Sequence, residues 1–216
     1  KSQVLALVRM AKRWPVDNKP PYSEWESDAA LYIEHYPIYQ AIEWVDRSSR
    51  VRWIVPLKGN EKARDLDLSL EENRRSAIRR AMETHGLAIT PIIELVQGGQ
   101  GFLVFSPIFL DGEFDGFILG VFRIEKLLDA ILGKQIVHGL SIALLDNGKE
   151  VYRSGPGGNN EVTHESKIDF YDTNWLLRAW PTRELWAAER SFIPEITLAT
   201  GLLLACLLFL TSRLNQ

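Results

Sequence analysis

Between Gly101 and Leu132 the chain reads GFLVFSPIFLDGEFDGFILGVFRIEKLLDAIL, two apolar runs rich in β-branched and aromatic residues around the polar segment Asp111 to Gly116, with a leucine-rich stretch directly behind. That order predicts a β-hairpin feeding a helix. Phe102 to Phe109 and Phe117 to Ile124 are too uniformly apolar for a sheet with one face in water. At least one of these strands must lie between two covered surfaces, or against a pocket. The rest of the chain can be read as what this hairpin packs against.

The chain has 216 residues, 46% of them hydrophobic, enough for one sizeable core or two small ones. A formal charge of -3 and the absence of any long Lys or Arg run leave no electrostatic footprint for nucleic acid. Cys206 is the single cysteine, so no internal disulfide forms, and it lies in the most apolar part of the chain as a small hydrophobe. That part, Phe192 to Thr211, reads FIPEITLATGLLLACLLFLT. At about 20 residues it would span roughly 30 Å as a helix, the thickness of a bilayer's hydrocarbon core. Pro194 and Glu195 suit its first turn, and Trp180 and Trp186 suit an interfacial belt. A transmembrane helix is therefore expected over 190–212, with 1–190 on the extracytoplasmic (periplasmic) side of the inner (cell) membrane. The chain starts with neither Met nor a signal-like segment, which reads as a piece cut from a longer protein.

Taken in order, Val4, Leu7, Val8, Ala11 and Trp14 recur at helical spacing and predict an amphipathic helix, interrupted by Pro15, Pro20 and Pro21. Ser23 and Glu26 have capping-box spacing and announce a second helix with the stripe Trp25, Ala29, Tyr32 and Ile33. Ile38 to Val45 and Val51 to Val55 read as strands around a polar turn. Ser69 and Glu72 form a second capping-box pattern, opening a helix that runs to about Thr84 and stops at Gly86. This helix carries Arg74, Arg75, Arg79 and Arg80, readable as a solvated face or as an anion contact. Ile89 to Val96 is a further strand, joined to the hairpin through Gly98-Gly99. Beyond it, Gly139 to Asp146, Glu150 to Arg153, Val162 to Phe170 and Asn174 to Trp180 read as four more strands, the first two around Asn147-Gly148.

No catalytic constellation is visible. His35, His85, His138 and His164 are scattered without metal-ligand spacing, and no nucleophile-elbow motif occurs. The loop SGPGGNN, Ser154 to Asn160, lacks the Lys and Ser/Thr of a phosphate loop. Asp111, Glu113 and Asp115 alternate as cation ligands might be spaced, yet the turn glycines beside them account for the pattern without a metal. No metal and no cofactor is called for.

The segments YPIYQAIEWVD, RVRWIVP, AMETHGLAITPI, GFLVFSPIF and DGFILGVFRIEKLLDAIL follow one another in an order that resembles a CHASE domain, the extracytoplasmic sensor of bacterial histidine kinases and cyclases and of plant cytokinin receptors. The resemblance runs from about Tyr36 to Leu132. It implies an α+β chain with an N-terminal stalk helix, two PAS-like antiparallel-sheet modules and a C-terminal transmembrane helix. The corresponding divisions are 1–35 for stalk and connecting helices, 36–134 for a membrane-distal ligand-binding module, 135–189 for a membrane-proximal module, and 190–212 for the span. It also implies a homodimer through the stalk helix and an unidentified small-molecule ligand. The pocket wall it points to comprises Trp44, Trp53, Arg74, Thr90, Leu103, Phe105 and Gly120. In the plant receptors a helix carboxylate and a strand threonine hold the adenine-like ligand. Arg74 (or Asn73) and Phe105 fall at those positions, and neither Arg nor Phe can replace the groups it stands for. A smaller or anionic ligand is expected instead.

Three functions follow as expectations. The first is a sensor domain of a membrane-bound signalling receptor, such as a two-component histidine kinase or a diguanylate cyclase. The second is a non-sensing dimerisation or structural ectodomain, whose distal cavity would be filled by bulky side chains. The third is an envelope enzyme, which would require titratable groups clustered in a cleft. This stretch is not expected to be an enzyme by itself.

Overall fold

The computed structural model describes residues 2–16, 18–136, 140–155, 163–171, 173–182 and 184–185. The expected span over 190–212 and most of the Ser154 to Asn160 loop lie outside the described residues. Among the described residues no helix is long and apolar enough to cross a membrane.

Two helices open the chain, α1 (Ser2–Val16) and α2 (Tyr22–His35). The strands β1 (Tyr39–Val45) and β2 (Val51–Val55) follow, then α3 (Glu72–Thr84), the short strands β3 (Ala88–Ile89) and β4 (Ile93–Glu94), and the long hairpin β5 (Gln100–Leu110) and β6 (Glu113–Arg123). Helix α4 (Ile124–Ile136) leads to β7 (Leu140–Asp146), β8 (Lys149–Ser154), β9 (His164–Phe170) and β10 (Thr173–Pro181). The chain is thus α+β, with two antiparallel sheets. The first has the order β2-β1-β6-β5-β3, with β4 also on β5, and the second has the order β8-β7-β10-β9.

The hairpin runs through the middle of the first sheet and is covered on both faces, as its composition requires. One face meets α1 and α4, with α2 beside them on β1 and β2; the other meets α3. Its turn is tighter than the polar segment suggested. Asp111 and Gly112 both take positive φ, 51° and 85°, the conformation of a two-residue turn that follows the twist of its strands. Strand β6 therefore starts at Glu113, and Asp115 lies on it with another task. Its carboxylate accepts from Trp14 Nε1 at 3.0 Å and from Arg47 Nε at 2.8 Å, tying the end of α1 to the β1-β2 turn.

Gly116, on the same strand, has φ +133°, and a Cβ there would lie 2.2 Å from the Val45 carbonyl oxygen. Backbone cannot move aside as a flexible side chain can. Gly116→Ala is expected to lower stability by about 3 kcal/mol, through strain and overpacking together. The midpoint of urea unfolding would show it.

Four local expectations are corrected. Ser23 and Glu26 do not form a capping box: α2 starts at Tyr22 because Pro21, with φ -63°, sets the entry, and no side chain caps it. The cap of α3 is Glu71 rather than Ser69, its carboxylate accepting from the amides of Asn73 and Arg74, while Ser69 belongs to a 3-10 turn capped by Asp67. That helix ends in a left-handed His85, whose ring stacks on Phe109 at 4.3 Å, one residue before the expected Gly86. The expected strand from Ile89 to Val96 is two fragments. Between them Thr90 bonds to Leu103 twice: its amide donates to the Leu103 carbonyl, and its hydroxyl accepts from the Leu103 amide, both at 3.0 Å.

The stripe on α1 is also settled. Val4, Leu7, Ala11 and Trp14 are buried against the helix's own sheet, so that face is not available for a stalk-to-stalk dimer. Gly120 is what lets the helix approach, since a Cβ on it would stand 2.7 Å from Leu7 Cδ1 and 2.8 Å from Phe122 Cε2.

The two sheets share one hydrophobic core. Phe102 on β5 stacks on Phe122 at 4.9 Å and meets Trp175 of β10 edge-on at 5.0 Å, with Leu128 and Leu144 in the same cluster. A buried polar contact joins them as well, the Ile92 amide donating to Asp146 Oδ2 at 2.9 Å.

Candidate functional site

Register decides which side chains share a face of the first sheet. Glu43 pairs with Ile54 on one side and Leu119 on the other, Leu119 pairs with Phe105, and Phe105 pairs with Ala88. This row points toward α3, together with Leu103 from a neighbouring row. The flanking rows, Val55-Ile42-Gly120-Val104 and Trp53-Trp44-Ile118-Ser106, point the other way.

The seven pocket residues expected from the sequence therefore do not meet. Arg74, Leu103 and Phe105 come together between α3 and the sheet. Trp44 and Trp53 lie on the opposite face in an aromatic cluster with Trp14, at centroid distances of 5.2 Å for Trp14-Trp44 and 4.6 Å for Trp44-Trp53. Lys19 sits 4.5 Å over the Trp44 ring. Gly120 is the seat of α1, and Thr90 has its hydroxyl engaged by the Leu103 amide. The physical reason is common to the strand residues. With both faces of the sheet covered, bulky apolar side chains mark neither face as the pocket.

Glu43 was missed. It lies in the middle of β1 at 2% exposure, within electrostatic reach of Arg74 of α3, which is 7% exposed. Its Oε1 is enclosed with no hydrogen-bond partner. Burial pushes its carboxyl up to about 8, opposed only by the nearby Arg74 charge. Arg74 Nε is likewise buried without a hydrogen-bond acceptor, with Glu71 Oε2 at 3.8 Å. Burial works to raise the Glu71 carboxyl, but its bonds to the Asn73 and Arg74 amides outweigh this and hold it below the usual range. The alternation Ala41, Glu43, Val45 was the available signal, since one charge among apolar residues of the same parity has no reason to be there for packing alone.

Around this pair the wall is small. Ala77 and Ala81 on α3 and Ala41 and Ala88 on the sheet are all buried, and Phe105 and Phe117 close the far side edge-to-face at 5.3 Å. The arrangement thus places a buried acceptor, Glu43 Oε1, and a buried donor, Arg74 Nε, without hydrogen-bond partners. Among the described residues no group of three metal-ligating side chains converges.

A helix laid across a six-stranded antiparallel sheet, followed by a smaller sheet continuous with the same core, resembles the PAS-like sensor folds. The chain belongs to the CHASE domain family, whose pattern matches residues 11–155. No curated protein matches it in sequence. Similar solved structures include an extracellular ligand binding receptor from Desulfohalobium retbaense DSM5692, 18% identical, with a TM-score of 0.64 over 82% of this chain and 36% of that one. The chain thus spans about a third of that receptor's length. A sensory box/GGDEF family protein domain from Vibrio parahaemolyticus is 12% identical, with a TM-score of 0.63, covering 86% of this chain and 88% of that one. The ligand binding domain of the Pseudomonas aeruginosa PAO1 amino acid chemoreceptor PctC, in complex with GABA, is 12% identical, with a TM-score of 0.56, covering 82% and 89%.

Proposed function

We propose that this chain is the extracytoplasmic small-molecule sensor of a membrane-bound signalling receptor, with residues 36–134 as the ligand-binding module and 135–189 as the membrane-proximal one. Occupancy passes to a helix over 190–212 in the inner membrane, and from there to a kinase or cyclase output. The observation that carries the reading is the pair of buried, unsatisfied polar groups, Glu43 and Arg74, between sheet and helix in a member of the CHASE family. The chemoreceptor PctC, whose fold is similar, holds a small molecule.

Ligand occupancy must favour one packing of α3 on the sheet over another, because only differential affinity shifts an equilibrium. A continuous set of contacts leads away from α3. Arg80 donates to the Ile89 carbonyl, Thr90 is locked to Leu103, and Ile92 donates to Asp146 on β7, which pairs with β10. Asp146→Ala would leave the Ile92 amide unsatisfied and is expected to cost about 1–3 kcal/mol. Hydrogen exchange would show faster exchange at Ile92 and in β7. Unchanged protection there would remove this contact from the route.

One observation favours a second reading, a non-sensing dimerisation or structural ectodomain: Phe105 and Phe117 are wholly enclosed on the pocket face. A thermal-shift screen of chemically diverse small molecules against the full chain separates the two. A sensor gains about 2.7 kcal/mol at a hundredfold excess of ligand over Kd. No compound shifts a structural ectodomain.

A further inference from the structure

On the face of the first sheet away from α3, an aromatic box already holds a cation. Trp53 of β2 is its hub, with ring centroids 4.6 Å from Trp44, 5.4 Å from Trp25, 5.7 Å from Trp14 and 5.4 Å from Tyr22. The ammonium of Lys19, in the turn between α1 and α2, stands 4.5 Å over the Trp44 ring. Trp14, Trp25 and Trp44 are nine-tenths buried or more, Trp53 is half-buried, and Tyr22 and Lys19 are exposed. The box thus has a floor and an open rim, and Lys19 is its cover.

Two features make that cover replaceable. Lys19 belongs to a turn, with Asn18 and Lys19 at φ 47° and 66° and the Lys19 amide donating to the Trp14 carbonyl at 3.0 Å, so its side chain can swing out without disturbing a helix or a strand. Among the described residues no carboxylate pairs with its ammonium; the Trp44 ring face is its partner. The polar atoms around it also select what could take its place. Trp14 Nε1 donates to Asp115, and Trp25 Nε1 and Trp44 Nε1 are buried without a partner. No indole nitrogen accepts from the N–H groups of an ammonium, so a primary ammonium must keep its bonds to water and stay at the rim. A fully methylated nitrogen has no N–H to satisfy, and its methyl groups pack on ring faces that attract its charge.

We propose that this box binds a trimethylammonium group, carried by a small solute or by a lipid headgroup, which displaces Lys19 from Trp44. Lys19 is then a built-in competitor, lowering the apparent affinity by the fraction of molecules in which it covers the ring. The site lies across the sheet from α3 and does not depend on the sensor reading.

The test uses the purified 216-residue chain in a maltoside detergent, which carries no ammonium group. Choline, glycine betaine and tetramethylammonium stand for solutes, and glycerophosphocholine for a headgroup. Titration calorimetry and tryptophan fluorescence follow binding. At least one of these compounds is expected to bind, with ethanolamine and 3,3-dimethylbutanol, the uncharged isostere of choline, at least about tenfold weaker. Preference for glycerophosphocholine makes the source a headgroup, preference for the others a solute, and both uphold the site. Trp44→Leu should weaken binding by about tenfold or more. Lys19→Ala should tighten it at least about threefold, which a folding defect would not do. Equal binding of 3,3-dimethylbutanol, unchanged affinity in Lys19→Ala, or silence from every trimethylammonium compound would overturn the proposal while leaving the sensor reading to its own screen.

Discussion

Glu43→Gln should stabilise the folded chain at pH 8 and change it little near pH 5. The carboxyl of Glu43 is pushed by burial to about 8, from an ordinary value near 4.5. Between these values the unfolded chain has released the proton and the folded chain still holds it. The folded state then binds more protons, so stability falls as pH rises through this window and levels off above it. At 1.36 kcal/mol per unit the penalty reaches at most roughly 5 kcal/mol, and glutamine, which does not titrate, removes it. Urea midpoints of both proteins at pH 5, 6.5 and 8 are the measurement. A gap of constant size across the three pH values would show that Glu43 does not titrate in this way.

Phe102→Ala is expected to be the most damaging single truncation for the union of the two sheets. The ring is fully enclosed and touches Phe122 in its own sheet and Trp175 and Phe170 in the other. Truncating a buried Phe typically costs about 3–5 kcal/mol. Because this one bridges two sheets, unfolding should also split into two calorimetric transitions where the parent shows one. A single transition at lower temperature would mean that Leu128, Leu144 and the Ile92-Asp146 bond suffice to couple them.

The hairpin and the order of elements were legible because they rest on composition. Long apolar runs around Asp111-Gly112, and the turn Asn147-Gly148 behind the apolar run Leu140 to Leu145, leave little else to form than two antiparallel pairs. Caps were less legible. S-x-x-E patterns occur at both α2 and α3, but Pro21 fixes one entry by its ring and Glu71 reaches the free amides of the other before Ser69 can. The site was legible only in part. Arg74, Leu103 and Phe105 share its face, whereas Trp44, Trp53 and Gly120 belong to the seat of α1. In a sheet buried on both sides the two-residue alternation separates one apolar surface from another, and apolar surfaces look alike in a sequence. A charge does not. Glu43 was the residue able to tell the faces apart.

The docking of α1 also bears on how such a receptor could be rewired. Leu7 rests on the bare Cα of Gly120, and Trp14 is bonded to Asp115 on the adjoining stretch of β6. Helix and sheet are therefore a single mechanical part, and α1 cannot slide like a piston along a surface it interlocks with. A chimera that joins this sensor to a foreign N-terminal helix at the α1-α2 turn would strip the sheet of its cover. Grafting has to carry 2–16 along with the strands it covers.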